Sequence, residues 1–478
     1  MAATNVLERT RDAPAGRERV RPRPLDLPAW ALAVLSLVVA GLSLLLPSAP
    51  TYDPWAWIIW GREITDLDLD TVYGPSWKPL PVLFTTLFAP FGDAAPLLWV
   101  VVARAGALLG LLLAFRVAYR LAGGGLPGAA GGLAALLALA LSGGWVRNGL
   151  MANSEGLLVA VVLWAVDRHL DGRYRQALVL GFAGALLRPE IWPFLGAYGA
   201  WLWLRDRPAR PLVAGLALLV PALWFLPELW GSGDPLRASS RARTPDLGTV
   251  AFADRPALEV TEGALGLLPL AVLAGAGIAL AIVGFRRGRL NDVLLALGLG
   301  AIGWIGIIAV MTEAGYAGNP RYAVMAAAVF CVLAGVAVAW AVRFVAARAG
   351  PLAAGAAALV LLGGSLALAG DELRAVDRAL EENRSQAVLA DTLPGAIAAA
   401  GGREELVACG KPYTGKYRVP LLAWHLSLHI REVTVIPELP AVLYYAHGSP
   451  PLGTGRLPFT TLAQEGPWTI MAACGAPS

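Results

Sequence analysis

Eleven apolar stretches, near 27–46, 96–115, 126–146, 156–166, 177–187, 190–204, 211–227, 263–284, 292–311, 322–342 and 351–369, alternate with polar connections. The first, Leu27 to Leu46, is long enough for a helix to cross a bilayer, which takes about 20 residues. Charged residues make up 15% of the 478, against about 25% in a soluble domain. The chain is therefore predicted to be a polytopic α-helical membrane protein. The stretches 156–166, 177–187 and 190–204 are short, and 177–204 reads as a re-entrant hairpin with Arg188-Pro189 at its tip.

The connections alternate in character. Six form a basic series: the N-terminal tail (Arg9, Arg11, Arg17, Arg19, Arg21, Arg23), Arg116/Arg120, Arg168/Arg173/Arg175, Arg205/Arg207/Arg210, Arg286/Arg287/Arg289 and Arg343/Arg348. An excess of arginine marks the cytoplasmic side. Residues 1–26 are then expected to be a disordered cytoplasmic tail and 27–369 a core of 11 crossings. The remainder, 370–478, is expected outside the membrane, in a multi-pass protein of the plasma membrane. From Asp371 the composition is that of a soluble domain, read as α+β: a helix over 371–400, then strands such as Leu406–Cys409 and Val433–Ile436. Cys409 and Cys474, each read at a strand end, suit a disulfide in an oxidising compartment. Cys331 falls inside an apolar stretch, where packing accounts for it.

The external connections differ in kind from the internal ones. The first holds Asp53, Glu63, Asp66, Asp68, Asp70 and Lys78 among Trp55, Trp57, Trp60, Tyr73 and Trp77. Residues 54–64 read as an amphipathic helix lying in the interface, with Asp53 as its N-cap. Further external positions are Arg147 and Glu155, Arg188 and Glu190, and Glu313, Asn319, Arg321 and Tyr322. Capping or pairing explains any one of them, but five external connections each place a cation near a membrane boundary. Arginine grips a phosphate bidentately and lysine meets it as a point charge. A carboxylate beside them suits deprotonation of an acceptor hydroxyl. His425 and His429 are four apart, which permits a shared metal, but no third ligand lies at a firm spacing. Trp424, Tyr413, Tyr417, Tyr444 and Tyr445 suit either glycan contact or packing.

On Asp53 after the first helix, the long first loop, Asn153-Ser154-Glu155-Gly156, Arg188-Pro189-Glu190 and Asn319-Pro320-Arg321-Tyr322, residues 28–345 resemble the GT-C superfamily of membrane glycosyltransferases. Within it the chain is similar to protein O-mannosyltransferases, aminoarabinose transferases and actinobacterial polyprenol-dependent mannosyl- and arabinosyltransferases. The resemblance implies a polyprenyl-phosphate sugar as donor, inversion at the anomeric carbon, and an envelope glycan, lipid or protein as acceptor. It makes Asp53 the general base with Glu155 as a second acid. Lys78, Arg188, Arg321 and Arg147 would then hold the donor phosphate, with Trp57, Tyr73, Glu190 and Tyr322 around the substrate. Many members pair two acids directly in the first loop, whereas Pro54 follows Asp53 here. A divalent metal would therefore need Glu155 or Glu63 to complete its site, and none is assigned. The competing classes are a transporter or flippase and a non-catalytic envelope scaffold. Transporters place ionisable groups at mid-membrane, and here Arg104 is the main such residue. No glycine-rich nucleotide loop is present, and no nucleic-acid partner is expected.

Overall fold

In the computed structural model the described residues are 27–286, 288–367, 369–447 and 458–474; the expected tail 1–26 lies outside them. The membrane part begins with α1 (Ala29–Leu42), α2 (Tyr52–Thr65), α3 (Pro79–Phe88), α4 (Ala95–Leu121), α5 (Gly125–Ala140) and α6 (Trp145–Leu150). It continues through α7 (Glu155–Leu170), α8 (Tyr174–Ala185), α9 (Trp192–Arg205), α10 (Arg210–Ser232) and α11 (Arg237–Ala242). It closes with α12 (Pro256–Leu265), α13 (Leu270–Gly284), α14 (Arg289–Glu313) and α15 (Val324–Ala367). The last two apolar stretches share α15, which breaks at Gly350 with φ 82° before Pro351.

Among the described residues four helical runs are long and apolar enough to cross a bilayer: Pro79–Leu121, Arg207–Ser232, Arg289–Glu313 and Pro320–Gly364. The pair α12 and α13, bent by 94°, makes a fifth if it is one span. Ala29–Leu45 and α5 are shorter apolar helices. Close helix contacts rest on small residues, as in membrane bundles generally. A Cβ at Gly131 of α5 would lie 2.4 Å from the Gly335 carbonyl oxygen of α15. One at Gly156 of α7 would lie 2.7 Å from Cα of Ala107 in α4. This second contact seats the start of α7, and so Glu155, hard against α4.

The C-terminal part is a small α+β domain with α16 (Gly370–Ala399), α17 (Arg403–Cys409), β1 (Lys411–Thr414), α18 (Val419–Leu426), β2 (Ala441–Ala446), β3 (Thr460–Glu465) and β4 (Trp468–Ala473). The sheet order is β1-β2-β4-β3, with β1 parallel to β2 and the other pairs antiparallel. Trp468 is fully buried and donates to the Leu389 carbonyl of α16 at 3.0 Å. Cys409 and Cys474 are joined by a disulfide. Cys331 is a buried free thiol.

Several local expectations are corrected. Leu406–Cys409 is not a strand but the end of α17, a short apolar run that periodicity alone cannot assign. Val433–Ile436 is irregular and holds one bridge, Thr434 to Tyr413. The helix after the first crossing is not an exposed amphipathic helix but is enclosed within the protein. Pro54 through Gly61 are all buried, with Trp57 1% and Trp60 0% exposed. A stretch apolar on every side belongs inside a protein, and α2 is enclosed by α3 and α18. Asp53 is not the N-cap: Thr51 is, and Asp53 sits in the first turn.

The C-terminal domain clasps this buried helix. Arg62 of α2 donates to the Leu428 carbonyl at 2.9 Å and lies 5.3 Å over the Trp424 ring. Trp55 meets Trp424 at 6.2 Å between centroids. Asn383 of α16 donates to the Pro47 carbonyl at 2.6 Å. Tyr413 and Tyr444 are core residues, 1% and 0% exposed, so packing accounts for both.

Candidate active site

Five separate chain segments meet at one end of α7. Lys78 precedes Pro79, and the residue before a proline is held extended; it is so here, with φ −137° and ψ 111°. Leu80 donates its backbone N–H to the Leu186 carbonyl at 3.1 Å, tying the start of α3 to the turn that carries Arg188. The Lys78 ammonium then reaches Ser154 Oγ at 3.1 Å and lies 5.0 Å over the Trp57 ring. Ser154 is the N-cap of α7 and Glu155 its first residue, where the helix dipole favours a carboxylate.

Arg188 joins two acids and an aromatic ring. Its Nη2 donates to Glu155 Oε1 at 2.9 Å, its Nη1 to Glu190 Oε1 at 3.3 Å, and its guanidinium lies 4.1 Å over the Tyr322 ring. Arg321 is set by Asn319, whose Oδ1 accepts its backbone N–H at 3.0 Å. Arg321 Nη2 donates to Asp53 Oδ2 at 2.7 Å, and its Nε lies 3.7 Å from Glu155 Oε1. Asp53, Glu155 and Glu190 thus face Lys78, Arg188 and Arg321 in equal number. Among the described residues Lys78 alone of these cations has no carboxylate within ion-pair distance. Burial and the nearby Arg188 push its pKa down to about 8.

The cluster is unfinished within the protein. Trp57 Nε1, Glu155 Oε2, Glu190 Oε2 and Arg321 Nε are buried without a hydrogen-bond partner. Buried polar groups are almost always satisfied, so four such atoms in one place mark where a ligand's polar groups would go. A metal fits poorly here, because Asp53 and Glu155 face guanidinium groups and Glu63 faces His429. Among the described residues no group of three or more His, Cys, Asp or Glu is placed to hold one.

Two expected residues stand elsewhere. Arg147 pairs bidentately with Glu382 of α16 at 2.7 and 2.6 Å, a partner 235 residues away that no local pattern reveals. Tyr73 is 62% exposed on its loop, and among the described contacts it has none with the cluster. Conversely, Arg237, Glu228 and Arg241 escaped the sequence reading. Arg237 donates to the Pro75 carbonyl at 2.8 Å and to Glu228 at 3.3 Å, and Arg241 donates to the Gly74 carbonyl at 3.2 Å. Glu228 in turn accepts from Thr71 at 3.0 Å. Together they pin the loop that ends at Lys78. Their signal was available: Arg237, Arg241 and Arg243 crowd a connection assigned to the outside, against the charge rule.

An apolar cavity of about 340 Å³ lies between α7, α8, α9, α14 and α15, lined by none of the charged residues of the cluster. Ile191, next to Glu190, and Met325, one turn from Arg321, lie on its wall with Trp304. Trp304 donates to the Tyr322 carbonyl at 2.9 Å, so cavity wall and charged cluster share one frame.

On the far side of α2, Glu63 Oε1 lies 2.8 Å from His429 Nδ1, with Asp68 3.3 Å from Nε2. Glu432 accepts the His429 backbone N–H at 2.7 Å, and Arg431 pairs with Asp70 at 2.7 Å. Burial raises the Glu63 pKa from 4.5 to about 7. Burial opposes protonation of His429, but its hydrogen bond to Glu63 and the surrounding acids raise it above 6.5. A group whose folded pKa is raised stabilises fully below its unfolded pKa and loses that as pH climbs through the folded value. Both groups run the same way, so the contact of α2 with residues 427–433 should loosen as pH rises through about 7. Hydrogen exchange of 427–433, corrected for intrinsic rate, should show this, and Glu63→Gln, which removes the buried acid and the hydrogen bond that raises His429, should flatten it. A pH-independent profile in the parent protein would remove the pair from this role.

Two solved structures of ArnT from Cupriavidus metallidurans are similar to the chain. The one bound to undecaprenyl phosphate is 14% identical with a TM-score of 0.54. The apo form is 16% identical with a TM-score of 0.55. Each match covers 93% of this chain and 97% of that one. No family model and no curated protein matches the sequence. At such identity the likeness shows the fold: the polytopic helical architecture with a small C-terminal α+β domain, expected from the sequence, is the one these ArnT structures have.

Proposed function

We propose that this chain, on its GT-C fold, transfers a sugar from a polyprenyl-phosphate-linked donor to a hydroxyl of an envelope glycan, lipid or protein. The observation that carries the reading is the meeting of Asp53, Lys78, Glu155, Arg188 and Arg321 around buried polar atoms with no partner, with an apolar cavity whose wall begins at Ile191, next to Glu190. A polyprenyl phosphate is a phosphate on a long hydrocarbon chain, and few other ligands need both surfaces side by side. That ArnT has been solved with undecaprenyl phosphate bound supports the same choice. The alternation of basic and mixed connections supports an N-terminus inside and a site and C-terminal domain outside.

In this reading the donor phosphate meets Lys78 first, since that cation has no carboxylate to give up. Burial leaves Lys78 partly neutral near its pKa of about 8; an arriving phosphate favours the charged form. Arg321 turns the Asp53 carboxylate to face the acceptor. The acceptor oxygen attacks the anomeric carbon while its proton passes to Asp53. The bond from that carbon to the phosphate oxygen breaks, and its electron pair leaves on the phosphate, where Lys78 and Arg321 stabilise the charge. Attack opposite the phosphate inverts the anomeric carbon. Glu155 holds Arg188 and Arg321 apart and in place.

The test is consumption of donor by the purified protein across a panel of polyprenyl-phosphate sugars. One donor should be turned over, with donor affinity falling as pH rises through about 8. If no member of the panel is consumed, the transferase reading fails.

A further inference from the structure

A second pocket, of about 470 Å³, lies at the opposite end of α7 from the cluster, between the start of α1 and the helices α4, α7 and α8. Trp30, Arg116, Trp164, Arg168, Arg173 and Gln176 are on its wall, with Asp171. Glu155 and Asp167 are twelve residues apart on α7, about 18 Å along the axis, so this pocket is separate from the proposed transferase site.

Its charges are organised rather than scattered. Asp167 is fully buried and takes Arg116 Nε at 2.7 Å, together with Arg120 and Arg168. Asp171 takes Arg120 at 2.6 Å and Arg168 at 3.0 Å. Arg116 also donates from Nη1 to the Leu27 carbonyl at 2.5 Å. The wall itself carries Arg116, Arg168 and Arg173 against one carboxylate, Asp171, and behind it Arg120 meets Asp167, so two positive charges are in surplus around the pocket. Arg168 Nε is buried and has no partner within the protein. Arginines that merely mark a membrane side point into water; three of these are drawn inward by one buried carboxylate.

The rim is that of a bilayer interface. Trp30 is 65% exposed, and the outer face of α1 beyond it exposes Val34, Leu35 and Val38. Tryptophan favours the level of lipid headgroups, and the apolar face beside it suits acyl chains. Guanidinium groups grip phosphate oxygens bidentately, and basic pockets between membrane helices suit anionic headgroups. We propose that this pocket binds the phosphate of an anionic phospholipid from the leaflet at that end of the bundle.

Native mass spectrometry of the purified full chain tests this, with phosphatidylglycerol, phosphatidylcholine and inorganic phosphate titrated separately. The parent protein should retain phosphatidylglycerol over phosphatidylcholine by about tenfold, since both carry the phosphate but phosphatidylcholine adds a cation against the surplus arginines. Arg173→Gln, which changes an exposed side chain, should erase most of that preference, whereas Trp30→Ala should weaken retention of both lipids alike. Arg168→Gln should erase the preference too, but rearranges Asp167. Arg210→Gln, at a half-buried arginine of the same end that lies outside the pocket, makes the same charge change and should leave the preference intact. Equal retention of the two lipids overturns the proposal, as does a loss in Arg210→Gln equal to that in Arg173→Gln. Inorganic phosphate binding with the same dependence on Arg173, without any lipid preference, overturns the lipid as its source.

Discussion

Asp53→Asn should cut transfer by roughly 10²–10⁴-fold, the usual worth of a positioned general base, while donor binding is unchanged or slightly tighter. The substitution keeps the side chain's shape and an oxygen that still accepts from Arg321, now 2.7 Å from the carboxylate. What it removes is the charge and the capacity to take a proton. Freeing Arg321 of its anion leaves more of its charge for the donor phosphate, so affinity should not fall. A purely structural Asp53 behaves differently. With Thr51 as the cap, an acid in the first turn of α2 contributes about 0.3–1 kcal/mol through the helix dipole. In that case the variant would lose a little stability and keep its rate. Single-turnover kinetics with bound donor, read beside thermal unfolding, separate the outcomes, and a fully active variant would sink the assignment.

Arg188→Met should destabilise the protein by roughly 3–5 kcal/mol, the cost of removing one partner from a buried ion pair, and abolish donor binding. Glu155 and Glu190 are 2% and 4% exposed and would be left facing an apolar side chain. Arg321, 3.7 Å from Glu155, softens the loss on one side only. Adding Glu155→Gln removes one stranded charge, so the double variant should recover part of the stability but none of the donor affinity. Arg188→Lys should fall between, since one ammonium cannot reach both carboxylates and cover the Tyr322 ring. Thermal unfolding in detergent and donor binding measured on the same samples decide the matter. Stability and affinity that move together across all three variants would mean that Arg188 is a structural tie and nothing more.

The parts of this site that could be read without coordinates were those fixed by sidedness. Lys78, Arg188 and Arg321 are cations in connections read as external, where the charge rule expects few. Glu155 follows from its place at a helix start. Arg147 satisfied the same criterion and belongs elsewhere, because its partner Glu382 lies on α16 and only tertiary structure brings the two together. The tryptophans of α2 were ambiguous for another reason. A membrane interface and a protein interior both favour Trp, and the choice turned on whether something covers the helix. Here α18 does.

The cover comes from the far end of the chain. Arg62 and Glu63 meet Leu428 and His429 across 366 residues. At about 5–20 residues per second of synthesis, roughly 20–70 s separate the emergence of α2 from that of its lid. During that time a helix built to be buried has only membrane and partner helices for company. The loop leading to Lys78 therefore completes its surroundings last, although it is among the first parts made. A protein interrupted before residue 428 would have every apolar stretch in place and an open, unclasped site.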